Sequence, residues 1–236
     1  MAALGLLRMS PEEAKSHELY RERFHHNEIK RNLSDFSPDI EYLNFWRKQN
    51  SHAGVGSLQK IKHLTATSVN NSFFNEICKL ESLDSLVLSD IEIDNISALD
   101  KLPNLRYLSL VKLKPCDGLA SLVKLPKLEK LWISESKNIT DYHFLKGANN
   151  LVALGVEGDI WTKQKVHSLK PFSEMDKLEA LFMSSVQLKD KDLSYIASNP
   201  NLKYFSVARF APKRSFDELR RIRPDIVCQW CDNYGA

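Results

Sequence analysis

Residues 94–110 read DNISALDKLPNLRYLSL. Leu105, Leu108 and Leu110 set the frame Leu-x-x-Leu-x-Leu, and Ile96, Leu99 and Leu102 precede it at spacings of three. The frame recurs upstream as Ile40/Leu43/Phe45, Ile61/Leu64/Ala66 and Leu83/Leu86/Leu88. Downstream it returns as Leu128/Leu131/Ile133, Leu151/Leu154/Val156, Leu178/Leu181/Met183 and Leu202/Phe205/Val207. Successive first positions lie 21, 22, 22, 23, 23, 27 and 24 residues apart, so one structural unit is repeated about eight times. The fourth and sixth positions project to one side of a short strand, because strand side chains alternate. One such strand cannot bury that face alone, so the copies must stack as a parallel sheet around a continuous core. Phe74, Ile77 and Leu80, like Leu119, Leu122 and Leu125, repeat the spacing of three and predict a short helix or 3₁₀ turn in each return segment. Pro103, Pro126, Pro200 and Pro224 stop those segments before the next strand.

These repeats resemble the leucine-rich-repeat family over roughly residues 40–212. The 22-residue copies are similar to the short-repeat class that includes the leucine-rich regulatory subunits of protein phosphatase 1. The resemblance implies an α/β solenoid, with a curved parallel β-sheet on the concave face and short helices or 3₁₀ turns on the convex face. The family usually places asparagine at the ninth position, where its amide bonds the turn backbone. Here that column reads Ile91, Leu113, Ser136, Asp159, Val186 and Phe210, so the turn after each strand is expected to be packed by apolar groups and less regular.

A stack exposes core at both ends unless it is capped. Residues 1–39 read as an N-terminal helical cap, residues 40–212 as the repeats and residues 213–236 as a C-terminal cap. Ser10-Pro11-Glu12-Glu13 is a helix start, and Tyr20, Phe24 and Ile29 are expected to cover the first repeat. Phe216, Leu219 and Ile222 predict a final helix over 215–223, and 226–230 a last strand.

The composition excludes several classes. Hydrophobic residues make up 43% and charged residues 27%, as in ordinary folded domains. A net charge of +3 from 33 basic and 30 acidic residues is too even to imply nucleic acid or an anionic membrane. The basic cluster Lys213, Arg214, Arg220, Arg221 and Arg223 reads as a solvated helix face. The apolar patch at residues 3–7 lacks a basic leader, so no signal peptide is expected. Cys78, Cys116, Cys228 and Cys231 form no disulfide framework, which suits a reducing cytoplasm.

No catalytic motif is present. Gly54-Val55-Gly56 continues as Ser-Leu-Gln and fails the dinucleotide pattern, and there is no phosphate-binding loop or nucleophile elbow. Cys228-Gln-Trp-Cys231 has redox spacing, but no helix is expected after it and no second ligand pair accompanies it, so packing is the favoured reading. His25, His26 and Glu28 read as solvated residues. No metal and no cofactor are expected.

Positions three, five and seven leave the core and are expected to line the concave sheet. They carry Tyr42, Tyr107 and Tyr204 at three, Trp132 and Phe182 at five, and Trp46 and Glu157 at seven. Large aromatics on a solvent-facing sheet are frequent interface anchors, the alternative being rings that stack on their neighbours. Position two alternates in sign as Glu41, Lys62, Asp84, Arg106 and Glu129, and position eight as Asp90, Lys112 and Glu135, which predicts lateral pairing between strands. The long copy, residues 151–177, is expected to display Trp161 on a loop beside Trp132 and Phe182. The function expected is therefore a cytoplasmic, non-catalytic, monomeric module that grips a partner protein at Tyr42, Trp46, Tyr107, Trp132, Glu157, Trp161, Phe182 and Tyr204. An inhibitor or immunity protein that neutralises a toxin or enzyme is its concrete form. An adaptor or regulatory subunit, such as a phosphatase regulator, is the alternative, and an enzyme of unrecognised type the third reading.

Overall fold

The computed structural model describes residues 10–21 and 28–235. Eight copies of the frame form strands: β1 (Tyr42–Trp46), β2 (His63–Asn70), β3 (Ser85–Glu92), β4 (Tyr107–Leu113), β5 (Lys130–Ser134), β6 (Ala153–Glu157), β8 (Ala180–Met183) and β10 (Tyr204–Val207). Two short strands, β7 (Gln164–Val166) and β9 (Val186–Leu188), lie between them in sequence. The chain divides into two compact units, residues 24–138 and residues 1–23 with 139–236.

In the unit 24–138, β1 to β5 run parallel and pair position on position. Leu64, Leu86, Leu108 and Leu131 form one row, and Ala66, Leu88, Leu110 and Ile133 the next. Every one of these side chains is buried. The return segments close the core from the other side. The helix Asn71–Ile77 supplies Phe73, Phe74 and Ile77, and Asn70 caps it by accepting from Phe73 N. The 3₁₀ segments Ser97–Lys101 and Leu119–Lys124 supply Leu99 and Leu122. Full burial of each such side chain contributes roughly 1.5–3 kcal/mol relative to exposure. The outer edge of β1 is covered: Lys30 N donates to Asn44 O at 2.8 Å and Trp46 N to Lys30 O at 2.9 Å. That cover removes a bare strand edge that could pair with other chains.

After β2, β3 and β4 position nine is apolar, as expected, with Val69, Ile91 and Leu113 buried. The turn is not irregular, however. Position eight adopts the left-handed conformation in Ser68, Asp90, Lys112 and Glu135, with φ of 62°, 51°, 56° and 54°. Ser136 does polar work at position nine, its Oγ accepting from Leu113 N at 3.1 Å and donating to Ser134 O at 3.0 Å. The left-handed residue turns the chain so that position nine returns to the core. Burial of position nine offsets the backbone cost, roughly 1–2 kcal/mol per residue. The charge ladder forms: Lys62 pairs with Glu41 at 2.8 Å, Arg106 with Glu129 at 2.8 Å, and Lys112 with Asp90 and Glu135 at 3.6 and 3.8 Å. All these side chains are exposed except that of Glu135, which is half-buried, so they fix register more than they add stability.

In the other unit, β6, β8 and β10 run parallel in the same register, with Leu154, Leu181 and Phe205 in one row. The extra residues of the long copy form β7, which pairs with β9. The C-terminal helix runs Lys213–Ile222 and buries Phe216 and Leu219, whereas Ile222, expected inside, is exposed. The expected strand over 226–230 is reduced to one bridge, Val227 to Tyr204. Gln229–Asp232 is a helical turn with Cys228 as its N-cap, so a short helix does follow this cysteine. Pro11–Tyr20 is the expected N-terminal helix. Ser10 Oγ accepts from Glu13 N at 3.2 Å, and Glu13 Oε2 accepts from Ser10 N at 3.3 Å, a reciprocal cap.

Candidate functional site

Tyr20, expected to cover the first repeat, lies against the last ones, its ring centroid 6.4 Å from Phe182 and 5.8 Å from Tyr204. The His17 ring meets Phe182 at a tilt of 58°, with centroids 4.2 Å apart. The Tyr20 phenol donates to Glu179 Oε2 at 2.6 Å, and Arg21 reaches Glu157 through two bonds of 3.1 and 3.4 Å. At the helix start, Glu13 Oε1 accepts from Gln229 N at 3.0 Å. The two other residues expected at the first repeat fare differently: Ile29 is exposed, and Phe24 lies outside the described residues, as do His25 and His26. Sequence periodicity could not have found this docking. The helix has no apolar stripe, and of its ten residues only Glu13, Ser16 and Tyr20 are buried.

The charge states follow from this packing. Burial holds the His17 imidazole down at about 4, with the Arg21 cation adding to the effect. Burial raises Glu13 above the ordinary carboxyl range, against the two backbone N–H groups that it accepts from. Glu179 is held below that range by the Tyr20 phenol first and Lys203 second.

The eight residues expected to meet a partner therefore fall into three groups. Tyr42 and Trp46 are displayed, at 45% and 41% exposure, and both are held in place. Tyr42 stacks flat on His63, with centroids 4.4 Å apart. Trp46 Nε1 donates to Ser68 Oγ at 3.1 Å, and the Arg31 guanidinium sits 5.1 Å from its ring centroid. Tyr107 and Trp132 are not displayed. They stack on each other across β4 and β5 at 5.8 Å, and both are buried. Phe182, Glu157 and Tyr204 are the residues that the N-terminal helix touches; the first two are buried and Tyr204 is half-buried. The expectation that positions three, five and seven line an open surface thus holds on β1 and is corrected for β4, β5, β6 and β8.

Trp161 stands apart, 88% exposed on the loop before β7. Asp159 Oδ1 accepts from Trp161 N at 2.6 Å and from Thr162 N, while Ser185 Oγ donates to Asp159 O at 2.7 Å. Gly158 is required beneath this turn, because a Cβ there would lie 2.3 Å from Ser185 O and 2.6 Å from Thr162 O. The loop is long enough to reach out but internally bonded, so Trp161 is presented at a fixed place. It was expected beside Trp132 and Phe182; both of those are buried, so they form no exposed cluster with it.

A cleft of about 690 Å³ opens at the C-terminal ends of β2 to β4, lined by Arg47, Asn70, Asp90, Glu92, Lys112 and Lys114 among others. Its charges pair across neighbouring strands, with Lys114 on Glu92 at 2.8 Å beside the Lys112 pairs. Among the described residues no group of three His, Cys, Asp or Glu could hold a metal ion, and no helix is long and apolar enough to cross a membrane. At the C-terminus the Cys228 thiol donates to the Cys231 sulfur, which lowers the Cys231 pKa and raises that of Cys228.

No protein-family model matches the sequence, and no curated protein does. Solved structures do match. A leucine-rich-repeat protein of Leptospira interrogans, LIC12759, is 16% identical over 86% of this chain and 58% of its own, with a TM-score of 0.51. TLR13, solved in its complex with ssRNA13, is 19% identical over 70% of this chain and 24% of its own, with a TM-score of 0.53. Internalin C2 of Listeria monocytogenes is 23% identical over 64% of each chain, with a TM-score of 0.46. The chain thus spans less than two thirds of each of these proteins. With the parallel frame-on-frame strands and 3₁₀ returns, the first two likenesses establish the leucine-rich-repeat α/β fold.

Proposed function

We propose that this chain is a non-catalytic protein-binding module whose sheet face grips a partner protein. The observation that carries the reading is the pair Tyr42 and Trp46, alternate residues of β1 that present their rings to solvent while His63, Ser68 and Arg31 hold them in place. Ordered, exposed aromatic rings offer a large contact area at low entropic cost, as interface anchors do. Trp161, fixed at the tip of its bonded loop, is a second contact. Tyr107 and Trp132 support the sheet from within. The concrete form proposed is an inhibitor or immunity protein that neutralises a toxin or enzyme by occlusion. The thiols of Cys78, Cys116, Cys228 and Cys231 are unpaired in disulfides, which favours the cytoplasm as its location.

The test is affinity capture from native lysate with the wild type, a Tyr42→Ala/Trp46→Ala variant and a Trp161→Ala variant, each of confirmed fold. One protein retained by the wild type and lost from the double variant supports the reading. Equal capture by wild type and double variant removes β1 from the interface. Loss of the captured partner's activity marks an inhibitor, and retained activity marks an adaptor or regulatory subunit.

A further inference from the structure

The face of β6, β8 and β10 that carries Glu157, Glu179, Phe182 and Tyr204 is already occupied by a helix of the same chain. The manner of occupation shows what this surface accepts. Phe182 receives the His17 ring, Glu179 receives a phenolic O–H, Glu157 receives a guanidinium at the helix end, and the backbone N–H of Gln229 receives a carboxylate at the helix start. On the helix these groups are spaced as Glu-x-x-x-His-x-x-Tyr, residues 13–20, along one side, and Arg21 follows at once as the extended residue that ends the helix.

The attachment rests on two rings and on polar groups, with no aliphatic stripe. Apart from Tyr20, the buried residues of the helix are Glu13 and Ser16, so little apolar area holds it down. Two of its groups are buried at a cost: the Glu13 carboxylate is desolvated, and the His17 Nε2 is buried with no hydrogen-bond partner. A helix intended only as a cap would bury an apolar stripe, as Lys213–Ile222 does with Phe216 and Leu219.

We propose that this face is a helix-receiving surface, and that residues 11–21 are its displaceable internal occupant. The partner element that fits is an α-helix offering Tyr-Arg with an aromatic or imidazole ring one turn earlier and a carboxylate one turn before that. Such a helix gains the same aromatic, phenol and guanidinium contacts, and displaces residues 11–21 if it buries more apolar area or leaves no polar atom unpaired. This rests on the reading of the sheet face as a protein-binding surface, and it deepens that reading by stating the partner's chemistry.

The experiment uses a fluorescein-labelled synthetic peptide of residues 10–21, SPEEAKSHELYR, titrated into the full chain and into a full-chain Tyr20→Ala/Arg21→Ala variant whose melting transition remains cooperative. The peptide is expected to bind the variant at least tenfold more tightly than the wild type, and a peptide with Tyr and Arg replaced by Ala is expected not to bind. Equal binding to both chains, or none to the variant, overturns the proposal. A second measurement needs no variant. In the wild type, the amides of residues 14–20 are expected to exchange at least a hundredfold faster than those of β8, because the helix opens alone. Equal protection shows that the helix opens only with the whole unit and overturns the proposal. The wider reading fails differently, by Tyr42→Ala/Trp46→Ala leaving capture unchanged.

Discussion

The Tyr20 phenol and the Glu179 carboxylate, 159 positions apart in sequence, meet in a 2.6 Å hydrogen bond. That contact ties the N-terminal helix to the sheet of β6, β8 and β10 and turns a face that the repeat pattern leaves open into a covered one. Tyr20→Phe keeps the ring against Phe182 and Tyr204 and removes only the bond. A bond to a charged group is worth about 1.5–3 kcal/mol, and the lower end applies because Glu179 is a third exposed and keeps Lys203. Amides of the helix are then expected to exchange about tenfold faster than in the wild type, with β8 unchanged. Unchanged exchange of the helix means the phenol bond does not hold it.

His17 gives the docking a pH dependence. Its imidazole sits at about 4 in the docked helix against an ordinary 6.5, so the undocked helix binds the proton more readily. Docking stability from this group is present above pH 6.5 and is lost as pH falls from there through about 4. Glu13 acts in the opposite sense: its raised pKa makes its contribution full below the ordinary carboxyl value and smaller as pH rises through the raised one. Comparing wild type with His17→Phe separates the two. Protection of the helix amides, taken relative to their intrinsic exchange rate at each pH, is expected to fall in the wild type between pH 6.5 and 4, and that fall is expected to vanish in the variant.

Tyr142 is buried between Phe144 and Phe172, and its hydroxyl has no hydrogen-bond partner. Removing that oxygen spares the folded state an unsatisfied buried group. Tyr142→Phe is expected to raise stability by about 1–3 kcal/mol, seen as a higher midpoint in urea with unchanged slope. A lower midpoint indicates that the hydroxyl has a partner in solution.

At Lys112 the backbone, and not the side chain, decides the outcome. Its φ of 56° disfavours any side chain, and its two ion pairs are long, at 3.6 Å to exposed Asp90 and 3.8 Å to half-buried Glu135. Lys112→Gly is expected to change stability by no more than about 1 kcal/mol and in the stabilising direction, whereas Lys112→Val is expected to destabilise. Thermal melts of the two variants check the order.

The sequence makes the strands legible because position four and six side chains must be buried, and a buried row every 21 to 27 residues leaves a periodic trace. Leu64, Leu86, Leu108 and Leu131 lie in the register that the frame implies. The lateral ion pairs were legible for the same reason, since equal positions become neighbours. Periodicity states which face a residue occupies, however, not what else arrives there. Trp132 and Phe182 lie on the expected face and are buried all the same. For Phe182 the cause is a helix whose contacts are His17, Tyr20 and Arg21, residues with no apolar period to announce them. Trp161 was legible because extra residues in one copy must leave the stack.

The most direct test of the binding role is hydrogen exchange of the wild-type chain alone and with its captured partner. Added protection at β1 and β2 around Tyr42, Trp46 and His63 is the result that this account predicts. Protection confined to the return segments, such as Asn71–Ile77, with β1 unchanged, would contradict it.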